Sequence, residues 1–161
     1  MSQLNAAAAF AVLELQQLVA EFCHELDDTH GIHSHRFYTE DGVIDIGKMS
    51  FKGQAEILAF YEHLQEVQRE HHPEGHRTTR HLFSNLRVSL EGDGEAAVDF
   101  IMTEYSGAGL PPLFDATLPT IVSDARFLCR REANGVWRIA EFTGQPMFAG
   151  NDPVLRQVLT G

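Results

Sequence analysis

Glu91-Gly92-Asp93-Gly94 and Ala133-Asn134-Gly135 have the composition of tight hairpin turns, and each lies between two runs of strand-forming residues. The spacing predicts strands over Arg80 to Leu90, Glu95 to Ser106, Thr120 to Glu132 and Val136 to Phe148. Two successive long hairpins make an antiparallel meander the centre of any fold open to this chain. In the second strand Val98, Phe100 and Met102 share a face by the two-residue period. In the first, the same period puts His81, Phe83 and Asn85 on one face and Leu82, Leu86, Val88 and Leu90 on the other. An imidazole, a ring and an amide opposite an apolar row suggest a polar spot in a greasy cavity. Between the hairpins, Gly107 to Pro119 holds two Gly and three Pro. That composition predicts a long loop suited to a lid or pocket rim.

The chain before the meander reads mainly as helix. From Asn5 to Thr29, Leu15, Leu18, Val19, Phe22 and Leu26 recur at helical spacing, with Gly31 as a natural stop. Asp27 and Asp28 fall in the last turn, where carboxylates oppose the helix dipole; such a broken rule marks either an exposed accident or a site. Ile32 to Glu40 reads as a short helical or turn-like segment, Asp41-Gly42 as a turn and Val43 to Ile46 as a short strand. Gly53 opens a second helix, with Ile57, Leu58, Phe60, Tyr61 and Leu64 on its apolar face, running to about Arg69 and broken between His71 and Gly75. Asp152-Pro153 suits the start of a short terminal helix. Helices first and a meander afterwards predict an α+β domain over residues 1–161, its N-terminal helices packed into the concave face of a curved, mostly antiparallel sheet.

Charge and cysteine usage narrow the function. A formal charge of −11 with only two Lys argues against a nucleic-acid partner. No apolar run is expected to reach the roughly 20 residues of a bilayer span, and the apolar stretch Ala6 to Val12 lacks the basic flank of a signal peptide, so a cytoplasmic protein without membrane contact is expected. Cys23 and Cys129 form no Cys-x-x-Cys pattern and read as free buried thiols. His33-Ser-His35 and His71-His72 with His76 have spacings that can suit zinc, but no Cys joins them and they fall in loops or helix ends. Neither a metal nor a cofactor is expected. Asp41, Asp45, Glu104 and Asp124 read as turn and surface carboxylates, Asp45 lying near the expected cavity mouth.

Several segments in this order resemble a known family. They are Leu26-Asp27, Phe37-Tyr38-Thr39-Glu40-Asp41-Gly42-Val43, Gly53-x-x-x-Ile57, His81-Leu-Phe-Ser-Asn85-Leu-Arg-Val and Gly135-Val-Trp137-Arg-Ile139. Together they are similar to the nuclear transport factor 2-like superfamily in its SnoaL-like branch, over Leu13 to Met147. The resemblance implies a cone-shaped half-barrel with one deep cavity, commonly a homodimer or homotrimer. Two lyases of that fold, scytalone dehydratase and hexachlorocyclohexane dehydrochlorinase, use an Asp after the first helix and a His on the strand after the third helix. Asp27 and His81 match those positions, and Asn85 matches an Asn of the dehydrochlorinase. Phe22 and Phe142 stand where that enzyme has Lys and Arg, and Leu26 where the dehydratase has Tyr, so neither specific activity is implied.

The residues themselves point to proton transfer. A histidine takes a proton near neutral pH, and a carboxylate on its other nitrogen sets the tautomer and stabilises the imidazolium. His81 is then the base and Asp27 its orienter. Oxyanion support would come from Asn85 and from one of Tyr38, Tyr61 or Tyr105, with Phe22, Phe37, Phe60, Phe83 and Phe142 as core or pocket wall. The expected activity is cofactor-independent elimination, isomerisation or cyclisation of a hydrophobic cyclic small molecule. Two alternatives stand beside it: a noncatalytic binding protein with the same cup, and an interaction subunit like the small β-subunit of a ring-hydroxylating dioxygenase.

Overall fold

The computed structural model describes residues 5–72, 75–114 and 118–160, excluding the side chains of Gln157, Val158 and Thr160. The predicted break at His71 to Gly75 and the predicted loop therefore fall partly outside the described residues. Helix α1 spans Ala6–Thr29 and α2 spans Gly53–His71; β1 (Tyr38–Ile46) and β2 (Met49–Lys52) lie between them. The meander follows as β3 (Arg77–Leu90), β4 (Glu95–Ala108), β5 (Ile121–Arg131) and β6 (Trp137–Ala149), and α3 (Pro153–Thr160) comes last. The strands form one curved, unclosed six-stranded sheet in the order β2-β1-β6-β5-β4-β3. Every pairing is antiparallel except that of β1 with β6. This is the predicted α+β architecture, with two differences at its start. Tyr38 begins β1 directly after a short 3-10 turn over Ser34–Phe37, and β2, which the spacing does not predict, pairs back on β1.

Local chemistry explains the boundaries of α1. Asn5 caps its start by accepting the Ala8 N–H at 2.8 Å. At its end His30 and Gly31 both adopt positive φ, 55° and 81°. A Cβ on Gly31 would stand 2.4 Å from the Tyr61 ring, so α2 packs directly against the bare backbone of this turn. By length and hydropathy alone α1 could cross a bilayer, which corrects the expectation that no segment reaches that range. In this fold its apolar face is committed elsewhere: Leu15, Leu18, Val19, Phe22 and Leu26 lie in the core against the concave side of the sheet. Phe22, wholly buried, meets Phe37, Tyr38, Phe127 and Phe142 edge to face, with ring centroids 5.2–6.2 Å apart.

The largest departure from the sequence pattern is a bulge in β3. His81 pairs with Glu104 and Phe83 with Met102, whereas beyond the bulge Val88 pairs with Val98 and Leu90 with Ala96. Directly opposed residues share a face. Leu86, Val88 and Leu90 therefore lie on the same concave face as His81, not on the opposite one, and they pack against the core. The extra residue is accommodated at Asn85, whose φ is 53°. Strict two-residue alternation fails at this point because one residue is inserted into the ladder.

Candidate active site

His81 lies at the end of α1 and at the wall of a cavity of about 170 Å³. β3 is an edge strand, and its outward backbone amide at His81 donates to Asp27 Oδ1 at 2.9 Å and Oδ2 at 3.2 Å. Asp27 Oδ1 is also 2.8 Å from His81 Nδ1. A carboxylate that accepts a backbone N–H is an acceptor for the ring as well, so the ring donates from Nδ1 and turns Nε2 toward Glu104. The dipole-opposing carboxylate of the last α1 turn thus caps a sheet edge and orients an imidazole. Its neighbour Asp28 is exposed and pairs with His24, 3.1 Å away.

Glu104 faces His81 across the β3–β4 ladder, with Oε2 3.8 Å from Nε2. The His81 amide is turned to Asp27 and the Glu104 carbonyl accepts from Thr120 N at 2.7 Å, so this is a non-hydrogen-bonded pair, the type in which side chains approach most closely. Arg77 holds the other Glu104 oxygen at 3.0 Å and is itself placed by Ser106 at 2.8 Å and Asp152 at 3.4 Å. Asp152 also caps α3 through Leu155 N, as its position before Pro153 predicts. Glu104 and Arg77 correct the reading of Glu104 as a surface carboxylate. The available signal is its place at the end of the inward row Val98, Phe100, Met102, where a charge is costly unless it is paired.

Of the other predicted residues, Phe60, Tyr61 and Phe142 line the cavity. Phe22 and Tyr38 are fully buried core, and Phe37 packs beside them. Phe83 shares the His81 face but stands beyond the cavity wall, 37% exposed. Tyr105 is equally exposed, on the outer face. Asn85 opens onto a separate outer cleft with Asp45, Arg87, Asp99 and Asp124, because the bulge turns it away from His81. Neither it nor Asp45 belongs to the cavity. Burial pushes the Tyr38 and Tyr61 hydroxyls well above the usual phenol range, so both remain protonated. It likewise pushes the Cys23 and Cys129 thiols up to about 12. The described residues of the loop between β4 and β5 do not line the cavity; Val154, Leu155 and Leu159 of α3 line it instead. Among the described residues no three His, Cys, Asp or Glu side chains come together as a metal site.

His30, missed by pattern reasoning, faces the cavity with Gln68 3.4 Å from its Nε2. Burial, aided by the positive charge of Arg77, holds His30 below the usual imidazole range, so it is neutral at pH 7. The unfolded chain binds this proton near pH 6.5 while the folded one resists it. Stability from this group is therefore complete above about pH 6.5 and falls as the pH drops below it. Thermal melts at pH 7.5 and 5.5 should show this fall, and His30→Asn, a residue type that tolerates positive φ, should reduce it.

The SnoaL-like domain family matches residues 8–143 of the chain. No curated protein matches it. Solved structures share the fold at low identity. A Catenulispora acidiphila protein in complex with S-DNPA is 21% identical, with a TM-score of 0.68 over 84% of this chain and 94% of that one. ActVI-ORFA from Streptomyces coelicolor is 16% identical, with a TM-score of 0.67 over 85% and 98%. A ketosteroid isomerase-like protein from Erwinia carotovora atroseptica is 17% identical, with a TM-score of 0.62 over 83% and 93%.

Proposed function

Because this chain belongs to the SnoaL-like domain family, whose fold is related to polyketide cyclases, dehydratases and isomerases, we propose that it is a cofactor-independent enzyme. It removes a proton from carbon in a hydrophobic cyclic small molecule, leading to elimination, isomerisation or cyclisation. The observation that carries this reading is the 2.8 Å contact of Asp27 with His81 Nδ1 at the wall of an apolar cavity. His81 Nε2 is the base, and Asp27 stabilises the imidazolium that forms. The low-dielectric walls, Leu26, Phe60, Met102 and Phe142 among them, strengthen that stabilisation. The small-molecule ligand in the Catenulispora structure is in keeping with a ligand-holding cup.

The test is solvent exchange. Cyclohexanone, 2-cyclohexenone and 3-hydroxycyclohexanone are incubated with protein in D2O and followed by mass spectrometry for deuterium uptake or water loss. Catalysed exchange that drops by at least about 10²-fold in His81→Ala is the expected result. Saturable binding with no exchange above the buffer rate would leave a noncatalytic binding protein.

A further inference from the structure

We propose that the His81–Glu104 pair is a recognition site for a single-ring ligand carrying a hydroxyl group beside a second donor or an acidic C–H. It rests on the cavity being the ligand site and adds a substrate class that the proton-abstraction reading does not specify.

His81 and Glu104 face each other at the cavity wall. With Nδ1–H on Asp27, Nε2 is an acceptor in the base form of His81 that the proposed reaction uses, and Arg77, a donor only, pairs with Glu104 as a carboxylate. Their facing atoms are 3.8 Å apart, too far for a hydrogen bond between them. Both side chains are nearly buried, 11% and 14% exposed, and both line the cavity. In that base form two buried acceptors face each other, and a ligand that supplies a hydrogen to each relieves their repulsion. A carbonyl or ether oxygen cannot do so. A hydroxyl donates to Glu104 while a vicinal hydroxyl, or the hydrogen of the adjacent carbon, meets Nε2. The pair is rigid, since Arg77 is fixed by Ser106 and Asp152 and His81 by Asp27. The cavity, about 170 Å³, has room for one six-membered ring with small substituents, since an apolar cavity of about 150 Å³ accepts benzene. Placing the hydroxyl on Glu104 also puts the neighbouring C–H at the base.

The experiment is calorimetric binding of three isosteric probes under nitrogen: catechol with two donors, 2-methylphenol with one and o-xylene with none. The expected order is catechol, then 2-methylphenol, then o-xylene, with at least ten-fold between the first and the last, against the hydrophobic trend. Glu104→Gln, whose amide oxygen stays on Arg77 and whose NH2 donor then faces the cavity, should weaken catechol at least ten-fold and leave o-xylene within about three-fold. Equal or tighter binding of o-xylene by the unaltered protein overturns the proposal, and that comparison requires no variant to fold. The order catechol over o-xylene without any deuterium exchange would retain hydroxyl recognition and remove the enzymatic reading. Exchange without that order would do the reverse.

Discussion

Asp27→Asn should lower catalysed exchange by roughly 10²- to 10⁴-fold while leaving the fold intact. Oδ1 takes both the His81 backbone N–H and the ring, so with the new NH2 group turned to the ring the amide oxygen takes the Oδ2 place, 3.2 Å from the backbone N–H, and keeps the edge of β3 capped. The new NH2 group, however, would donate to Nδ1. The imidazole then carries its proton on Nε2, the atom that faces the cavity, and a protonated nitrogen cannot act as a base. Loss of the charge-assisted hydrogen bond should cost about 1–2 kcal/mol of stability. Nitrogen NMR of His81 reads the tautomer directly: the unaltered protein should show Nδ1–H and the variant Nε2–H. Unchanged exchange with a changed tautomer would remove His81 from the chemistry. An unchanged tautomer would show that the amide oxygen takes the Oδ1 place and accepts from both the backbone and the ring.

Phe22→Ala should cost roughly 3–5 kcal/mol, the range for deleting a fully buried ring. Phe22 has no exposed surface and touches four rings from three parts of the fold: the turn before β1, β1 itself, and the β5–β6 hairpin. No single neighbour can fill the void, because each ring is held by its own strand or turn. In a chain of this size the loss corresponds to roughly 6–20 °C in Tm. Denaturant unfolding at an unchanged m-value measures it. Phe114→Ala is the matched control: at 92% exposure it should move stability by less than about 0.5 kcal/mol. Since Phe142 both packs on Phe22 and lines the cavity, the first variant should also loosen ligand binding.

The candidate site is legible in the sequence in part, and the failures have physical causes. Asp27 stands out because a carboxylate in a last helical turn opposes the dipole, and the structure shows its compensation in the His81 amide and ring. Glu104 is legible in principle, since Val98, Phe100 and Met102 set the inward period that reaches it, yet its Arg77 partner arrives from an adjacent strand and its role depends on that pairing. Asn85 is misplaced by alternation, which assumes an unbroken ladder, and a residue at φ 53° is not announced by its neighbours. The described residues of the β4–β5 loop do not line the cavity that its length suggested it would cover, because loop length says nothing of direction. The helix that lines the cavity, α3, is held by Asp152 and Arg77, an ion pair between residues on opposite sides of the meander in sequence.

By itself the sequence determined the local elements: the two hairpins through their turn residues, the amphipathic α1 through its period and Asn5 cap, and the start of α3 through Asp152-Pro153. Each is settled by contacts among residues a few positions apart, where composition and spacing suffice. Only the tertiary structure decided which face each side chain serves beyond the β3 bulge, that β1 lies parallel to β6, and that Glu104, Arg77 and His30 join His81 around one cavity. Those outcomes depend on strand register and on which distant groups satisfy one another's hydrogen bonds and charge, and these are set when the whole sheet closes over its helices.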